Sequence, residues 1–242
     1  VPENCSPGSD VANLSVMGYD PDEHYTGRSP LEAVSMGIKL GDKDIAFRCN
    51  LVTLSENEPY NEKTIIDHSS DEISTAEAKE LIEEINRQFG TDALTFYKGI
   101  SYRHCMVWKN GPISITPSPL TAPHDILERK IGQYLPQCEN GRVLLDMMEK
   151  SYSILSTHPV NKARVEKGLR PANSIWLWGE GKKPGVPSFY DKYGIKGSVI
   201  SAVDLIKGIG ICADLNVVEV EGATGNIHTN FSGKAEAAVN EL

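Results

Sequence analysis

The chain has 242 residues, with 24 Lys and Arg against 33 Asp and Glu, a formal net charge of -9 and a pI near 5.2. That acidic balance argues against a broad nucleic-acid-binding surface, which needs clustered basic residues, but leaves room for a small anionic substrate held by a few convergent arginines. At 40% hydrophobic and 24% charged the composition is that of an ordinary globular protein, and no apolar run approaches the roughly 20 residues that span a bilayer.

The first predicted element opens at Pro7-Gly8-Ser9-Asp10, a turn followed by a helix through Val11 and Leu14. Ser9 there reads either as a helix cap or as a reactive hydroxyl. Two Gly/Pro-punctuated stretches follow, Gly18-Tyr19-Asp20-Pro21 and Gly27-Arg28-Ser29-Pro30, and a second helix is predicted over residues 31–36. From Asp44 the period becomes two: Ile45, Phe47, Cys49 and Leu51 share one strand face, and Ala46, Arg48, Asn50 and Val52 the other. Ser74-Thr75-Ala76-Glu77 is a capping box for a helix striped by Ala78, Leu81, Ile82, Ile85 and Phe89, which Gly90 stops.

Strand-like runs cover residues 94–97 and 101–108, and a Pro-rich connector covers residues 112–123. A long helix is predicted over residues 140–155 and an apolar strand over residues 174–178. Gly181-Lys182-Lys183-Pro184-Gly185 reads as a domain junction. Beyond it the pattern predicts a helix over residues 198–213, a strand over residues 216–221, a loop at Gly222-Ala223-Thr224-Gly225, and a last helix that Leu242 cuts short. Alternating strands and helices at both ends predict α/β flanks around an α+β middle. Five cysteines (Cys5, Cys49, Cys105, Cys138, Cys212), odd in number and never in a CxxC spacing, argue against a zinc knuckle or disulfide framework and predict a reducing, cytoplasmic setting. With Val1 at one end and an alanine-rich pattern at the other, the chain reads as a piece of a longer protein.

Several residues can carry chemistry, each with a plainer alternative. Arg48 and Asn50 can hold a carboxylate or phosphate from one rigid strand, or belong to a solvated face. Arg103 and His104 alternate on a strand, so a regular strand presents only one of them to any given site. His124-Asp125 is an acid/base pair, a ligand pair, or a turn with a cap. Asn161 and Arg164 share a face at helical spacing, which is a candidate site or, as spacing alone favours, a solvated helical turn. Trp176 and Trp178 read as core or interface residues. Neither a dinucleotide fingerprint, a phosphate-binding GxxxxGK[ST], an HExxH nor a GxSxG elbow occurs.

PGSDVANLS, MGYDP, YTGRSPLEA, IAFRCNLVTL, YRH, PHD, HPVNKAR, PANSIWLWGEGKKP, YGIKGSVISAVDLIKGIG and VEGATG follow one another along the whole chain. In that order they resemble the archaeal-type, cofactor-independent (2,3-bisphosphoglycerate-independent) phosphoglycerate mutases of the alkaline phosphatase superfamily. The resemblance implies an α/β fold in which core segments, residues 1–43 and 188–242, flank an inserted α+β substrate (lid) domain, residues 44–187. It implies that 3-phosphoglycerate and 2-phosphoglycerate are interconverted through a phosphoserine at Ser9, without 2,3-bisphosphoglycerate. Two divalent metal ions, typically manganese, would activate Ser9, which is also a metal ligand in this reading. Arg48, Asn50, Arg103, His104 and Arg164, with His124 and Asp125, are expected on the substrate side, and Arg28 and Lys196 toward the phosphoryl group. The superfamily's other metal-binding Asp and His motifs have no counterpart here, so this piece is expected to be inactive and without bound metal. The expected partner is a small phosphorylated three-carbon acid, not nucleic acid or membrane, and the oligomeric state stays open. A metal-dependent phosphomonoesterase or phosphotransferase of the same superfamily, or an isolated phospho-acid-binding module, are the competing readings.

Overall fold

The computed structural model describes Cys5, residues 8–112 and residues 120–242. Its elements begin with α1 (Ser9–Val16), α2 (Pro21–His24), α3 (Ser29–Ser35), β1 (Ile45–Leu54), β2 (Ile65–Asp67), α4 (Thr75–Phe89), β3 (Leu94–Ile100) and β4 (Arg103–Trp108). They continue with α5 (Arg142–Leu155), α6 (Pro159–Glu166), β5 (Ser174–Lys182), α7 (Phe189–Tyr193), β6 (Ser198–Val199), α8 (Asp204–Cys212), β7 (Asn216–Val217) and α9 (Phe231–Asn240). Most of the Pro-rich connector, and Pro7 of the serine loop, lie outside the described residues. The chain divides into two compact units, Val1–Asp42 with Gly181–Leu242, and Lys43–Glu180.

The unit of residues 43–180 is built on a mixed sheet in the order β2-β1-β4-β3, with β5 also pairing with β1. In the antiparallel register of β1 and β4, Phe47 lies opposite Met106, Cys49 opposite His104, Arg48 opposite Cys105 and Asn50 opposite Arg103. Opposed residues share a face. One face is therefore Phe47, Cys49, His104 and Met106, and the other is Arg48, Asn50, Arg103 and Cys105.

The first face packs on the helices. Phe47, Cys49 and Leu51 join Leu81, Ile82 and Ile85 of α4 and Leu144, Met148 and Leu155 of α5 in one buried cluster, each large side chain contributing about 1.5–3 kcal/mol. The capping box forms as predicted: the Ser74 hydroxyl accepts from the Glu77 N–H, and the Glu77 carboxylate accepts from the Ser74 N–H. A bulge between Tyr97 and Ile100 carries β3 past β4. Gly99 makes it possible, because a Cβ there would collide with the Arg103 carbonyl.

All ten residues of β1 are buried, which excludes a solvated polar face. Arg48 is only 8% exposed and Asn50 1%, so neither belongs to a solvated face.

The unit of residues 1–42 and 181–242 has a smaller core, in which Leu14 and Tyr19 meet Leu31, Leu205, Ile209 and Ala213. Helices α3 and α8 pass so closely that a Cβ on Gly208 would overlap the Leu31 carbonyl. The helix predicted over residues 198–213 begins only at Asp204. Ser198 and Val199 instead pair in parallel with Asn216 and Val217. This non-local pairing takes backbone groups that a local pattern would assign to a helix. The strand predicted over residues 216–221 shrinks to β7 for the same reason, since β6 offers only two residues to pair with. No helix among the described residues is long and apolar enough to cross a membrane.

Candidate functional site

On the second sheet face, Arg48 and Asn50 sit under a cluster of rings. Trp178, from β5, donates its indole N–H to Asn50 Oδ1 at 3.0 Å, and the Arg48 guanidinium carbon lies 5.8 Å from the Trp178 ring centroid. The His124 ring stands edge-on to Trp178 at 5.5 Å and meets His68 at 6.0 Å, and His68 meets Tyr102 at 5.6 Å. Arg103 closes the chain, its guanidinium carbon 5.6 Å from the Tyr102 ring.

Rigid elements deliver each group. His124 rides on a 3-10 turn, Pro123–Ile126, anchored by the buried Ile126 and by the Trp176 indole N–H, which donates to the Thr121 carbonyl at 2.8 Å. Residue Leu127 then bridges to Ile65 of β2, so β2, which ends just before His68, and the His124 turn are tied together. Asp125 stays exposed, with Oδ1 3.8 Å from His124 Nε2. The arrangement offers two guanidinium groups, two imidazoles and aromatic walls, a combination suited to a small polyanion.

Asn50 spends its amide within the protein. Besides accepting from Trp178, it donates from Nδ2 to the His68 carbonyl at 3.4 Å. His104 lies on the opposite face of the sheet from Arg48 and Arg103, buried to 1% exposure, and its Nδ1 accepts from the Gly99 N–H at 3.0 Å. Burial first, and the Arg48 charge second, push its imidazole down to about 3, so it is neutral at physiological pH.

Arg164 is also buried, and each of its three guanidinium nitrogens bonds to a protein group. Its Nε donates to the Arg170 carbonyl at 3.0 Å, Nη1 to Glu77 Oε2 at 3.0 Å and Nη2 to the Ser70 carbonyl at 2.6 Å. Asn161, its neighbour on the helix face, is bound through its amide to Leu155 and Ala172. Neither belongs to the solvated turn that spacing alone favours.

Arg164 thus holds a turn with unusual backbone. Ser70, Asp71 and Glu72 have φ of +52°, +53° and +50°, a left-handed run that costs non-glycine residues about 1–2 kcal/mol each. Asp67 braces the same turn, accepting from the Ser69 N–H and hydroxyl at 2.8 Å and from the Asp71 N–H at 2.7 Å. Burial alone would raise the Asp67 carboxyl, but these bonds together with Arg170 outweigh it and hold it below its usual range.

In the other unit, Ser9 is the first residue of α1, and Gly8 occupies the cap position with no side-chain bond. Ser9 is therefore not the cap. It stands exposed at the end of the helix where the amide groups point outward and the dipole is positive. Asp10 folds over the same end, accepting from the Val11 N–H at 3.0 Å and from the Tyr25 hydroxyl at 2.6 Å. Burial, reinforced by that bond, raises the Tyr25 phenol, so it remains a donor.

Arg28 pairs with Glu32 one helical turn on, at 2.8 Å, and Lys196 lines an open hollow with Ser188, Asp191, Asp214 and Glu241. No group of three or more His, Cys, Asp or Glu side chains able to hold a metal ion occurs among the described residues. The described residues do not make up a two-metal site.

His68 and Tyr102 carry no sequence pattern that singles them out, and Trp178 reads there as core or interface. The one local signal was that Tyr102 adjoins Arg103; His68 carries none, because only the pairing of β2 with β1 brings it to Asn50.

The family model for 2,3-bisphosphoglycerate-independent phosphoglycerate mutase matches residues 1–161. A probable 2,3-bisphosphoglycerate-independent phosphoglycerate mutase of Geobacter sulfurreducens is 54% identical over 243 residues, covering 100% of this chain and 59% of the relative. The 2,3-bisphosphoglycerate-independent phosphoglycerate mutase of Methanosarcina mazei is 49% identical over 242 residues, with the same two coverages. Among solved structures, a protein from Pyrococcus horikoshii superposes with a TM-score of 0.71 at 28% identity, covering 98% of this chain and 54% of that one. The cofactor-independent phosphoglycerate mutase of Thermoplasma acidophilum gives 0.58 at 28% identity, covering 96% and 61%. The chain thus spans 59% of the length of the curated relatives named above.

Proposed function

This chain belongs to the 2,3-bisphosphoglycerate-independent phosphoglycerate mutase family, and from that premise we propose that it supplies the phosphoryl-accepting serine and the substrate-holding surface of such an enzyme. In this reading the Ser9 hydroxyl attacks the phosphorus of 3-phosphoglycerate. The bond from phosphorus to the C3 oxygen breaks, glycerate leaves with its C3 hydroxyl reprotonated, and Ser9 carries the phosphate. The C2 hydroxyl of the retained glycerate then attacks phosphoserine, giving 2-phosphoglycerate and free Ser9. No 2,3-bisphosphoglycerate is needed, because the serine stores the phosphoryl group between the two steps.

The observation that carries the proposal is Ser9 itself: an exposed hydroxyl at the start of an eight-residue helix whose cap position another residue fills. A phosphoryl group there meets outward-pointing amide N–H groups and the positive end of the helix. Residues 43–180 serve, in this proposal, as the inserted substrate domain. Arg48 and Arg103 hold the carboxylate and phosphate, His124 and Asp125 border them, and Asn50 keeps Trp178 and His68 in place. Arg28 and Lys196 belong to the serine-bearing unit and supply positive charge there. Divalent cations, manganese in the expected case, would take ligands beyond the described residues. Such an enzyme works in the cytoplasm on a small phosphorylated acid.

Holding glycerate is what separates a mutase from a phosphatase, since water competes for phosphoserine. Full-length protein given 3-phosphoglycerate and manganese is expected to form 2-phosphoglycerate, followed by coupling to enolase, with little inorganic phosphate. Phosphate as the main product would favour the phosphomonoesterase reading, and binding without either product would favour a binding module.

A further inference from the structure

We propose that Arg164 is a positioning residue, which clamps the left-handed turn Ser70–Glu72 so that His68 is held in the ring cluster above Arg48. The inference rests on the proposed function for the identity of the ligand and on geometry for the rest.

The turn joins the site to a buried polar network. Residues Ser70, Asp71 and Glu72 all have positive φ, a run that only over-determined surroundings maintain. Four side chains supply those surroundings. Arg164 Nη2 donates to the Ser70 carbonyl at 2.6 Å, and Asp67 Oδ2 accepts from the Asp71 N–H at 2.7 Å. Arg170 Nη1 donates to Asp67 Oδ2 at 3.2 Å, and Thr53 Oγ1 donates to the Ser70 hydroxyl at 3.2 Å. Glu77, whose carboxylate closes the capping box of α4, fixes Arg164 in turn at 3.0 Å.

His68 sits between this clamp and the site. It directly follows β2 and comes two residues before the turn. Its carbonyl accepts from buried Asn50, and its ring meets Tyr102 and His124. A turn that relaxed to ordinary negative φ would change the direction of the chain at Ser70 and draw His68 away from its ring neighbours. With its guanidinium committed to Ser70, Glu77 and Arg170, Arg164 acts on the ligand through the turn and not by contact.

Glycine adopts positive φ without penalty, which allows clamping by Arg164 to be told apart from direct contact with the ligand. Glu72 is exposed, and only its backbone N–H bonds, to Ser69 Oγ at 3.3 Å. Glu72→Gly removes the penalty at one of the three positions and should therefore offset part of the loss of the clamp. The full-length protein is compared as wild type, Arg164→Ala, Glu72→Gly and the double variant. Two readouts are taken: the His68 imidazole NMR signal without ligand, assigned with His68→Gln, and equilibrium binding of 3-phosphoglycerate.

Arg164→Ala is expected to move the His68 signal and to weaken binding about tenfold. Glu72→Gly alone should change little, and the double variant should recover part of both readouts. Where Arg164→Ala fails to fold, Arg164→Lys and Glu77→Gln carry the same comparison with milder damage. A His68 signal that stays put in Arg164→Ala would overturn the inference, as would binding that Glu72→Gly cannot restore even in part, because a direct contact of Arg164 with substrate is not replaced by a glycine. Wild-type protein that binds no 3-phosphoglycerate would overturn the proposed function, while the His68 signal would still decide whether Arg164 places the imidazole.

Discussion

Arg48 illustrates how much a single residue's surroundings change its chemistry. A guanidinium at 8% exposure beside the Trp178 ring keeps its charge while facing little competing water, so its bonds to an anion count for more than a surface arginine's. Arg48→Ala is expected to weaken 3-phosphoglycerate binding by tenfold or more, roughly the 1.5–3 kcal/mol of a charged hydrogen bond. Arg48→Lys should recover only part of it, because an ammonium lacks the planar fork. Equilibrium titration of the full-length protein checks both. Across the strand, burial pushes the Cys105 thiol up to about 12, so this cysteine is an inert neighbour and not a nucleophile.

His104 makes a different prediction, about stability. Its folded pKa is depressed to about 3 from an ordinary 6.5. Between those values the unfolded chain binds a proton that the folded chain refuses, so stability falls as pH drops through that window, by about 1.4 kcal/mol per unit at most. Above about 6.5 the contribution is constant. His104→Gln, which can still accept from Gly99, is expected to flatten the dependence of urea unfolding on pH between about 6 and 4.5. Asp67 and Glu77 have folded pKa values lowered below the carboxylate range despite burial. Their contribution is present above that range and is lost only on further acidification, so the upper window belongs to histidine.

Among the elements, α4 and β1 show what local pattern can reveal. Period two in IAFRCNLVTL separated the helix-packed face from the arginine face, and Ser-Thr-Ala-Glu marked the start of α4 to the residue. Both signals are local: alternation follows from the pleat, and a capping box from four consecutive residues. The same kind of signal fails where pairing is non-local. Residues 198–199 became β6 because residues 216–217 lie beside them. His68, Tyr102 and Trp178 reach Arg48 and Asn50 only through β2 and β5 docking on β1 and the turn between β3 and β4. Nor did spacing show that Arg164 would turn inward to the Ser70 carbonyl, since that partner lies in a loop nearly a hundred residues earlier. The cap itself is testable at this scale. Ser74→Ala removes an acceptor for the Glu77 N–H and is expected to cost about 1 kcal/mol in urea unfolding. It should also speed amide exchange in the first turn of α4, because Glu77 loses the hydroxyl that donates to it at 2.6 Å.

At the scale of the molecule, the candidate groups fall into two sets that the chain keeps in separate units. Residues 1–42 and 181–242 carry Ser9, Arg28 and Lys196, and residues 43–180 carry Arg48, Arg103, His124 and their ring neighbours. The two sets suit the two demands of the proposed reaction, which must store a phosphoryl group on the protein and retain a small acid meanwhile. Family membership rests on the match of residues 1–161 and on relatives near half identity along the whole chain. The role of Ser9 rests on an exposed hydroxyl at a helix start. The most direct test is to mix full-length protein, manganese and 3-phosphoglycerate, quench in acid during turnover, and look for phosphate on the peptide containing Ser9 by mass spectrometry. A phosphorylated Ser9 peptide is expected in the wild type, and neither that peptide nor 2-phosphoglycerate in Ser9→Ala. Continued turnover in Ser9→Ala, or wild-type turnover with the phosphate found on another residue, would contradict the role of Ser9.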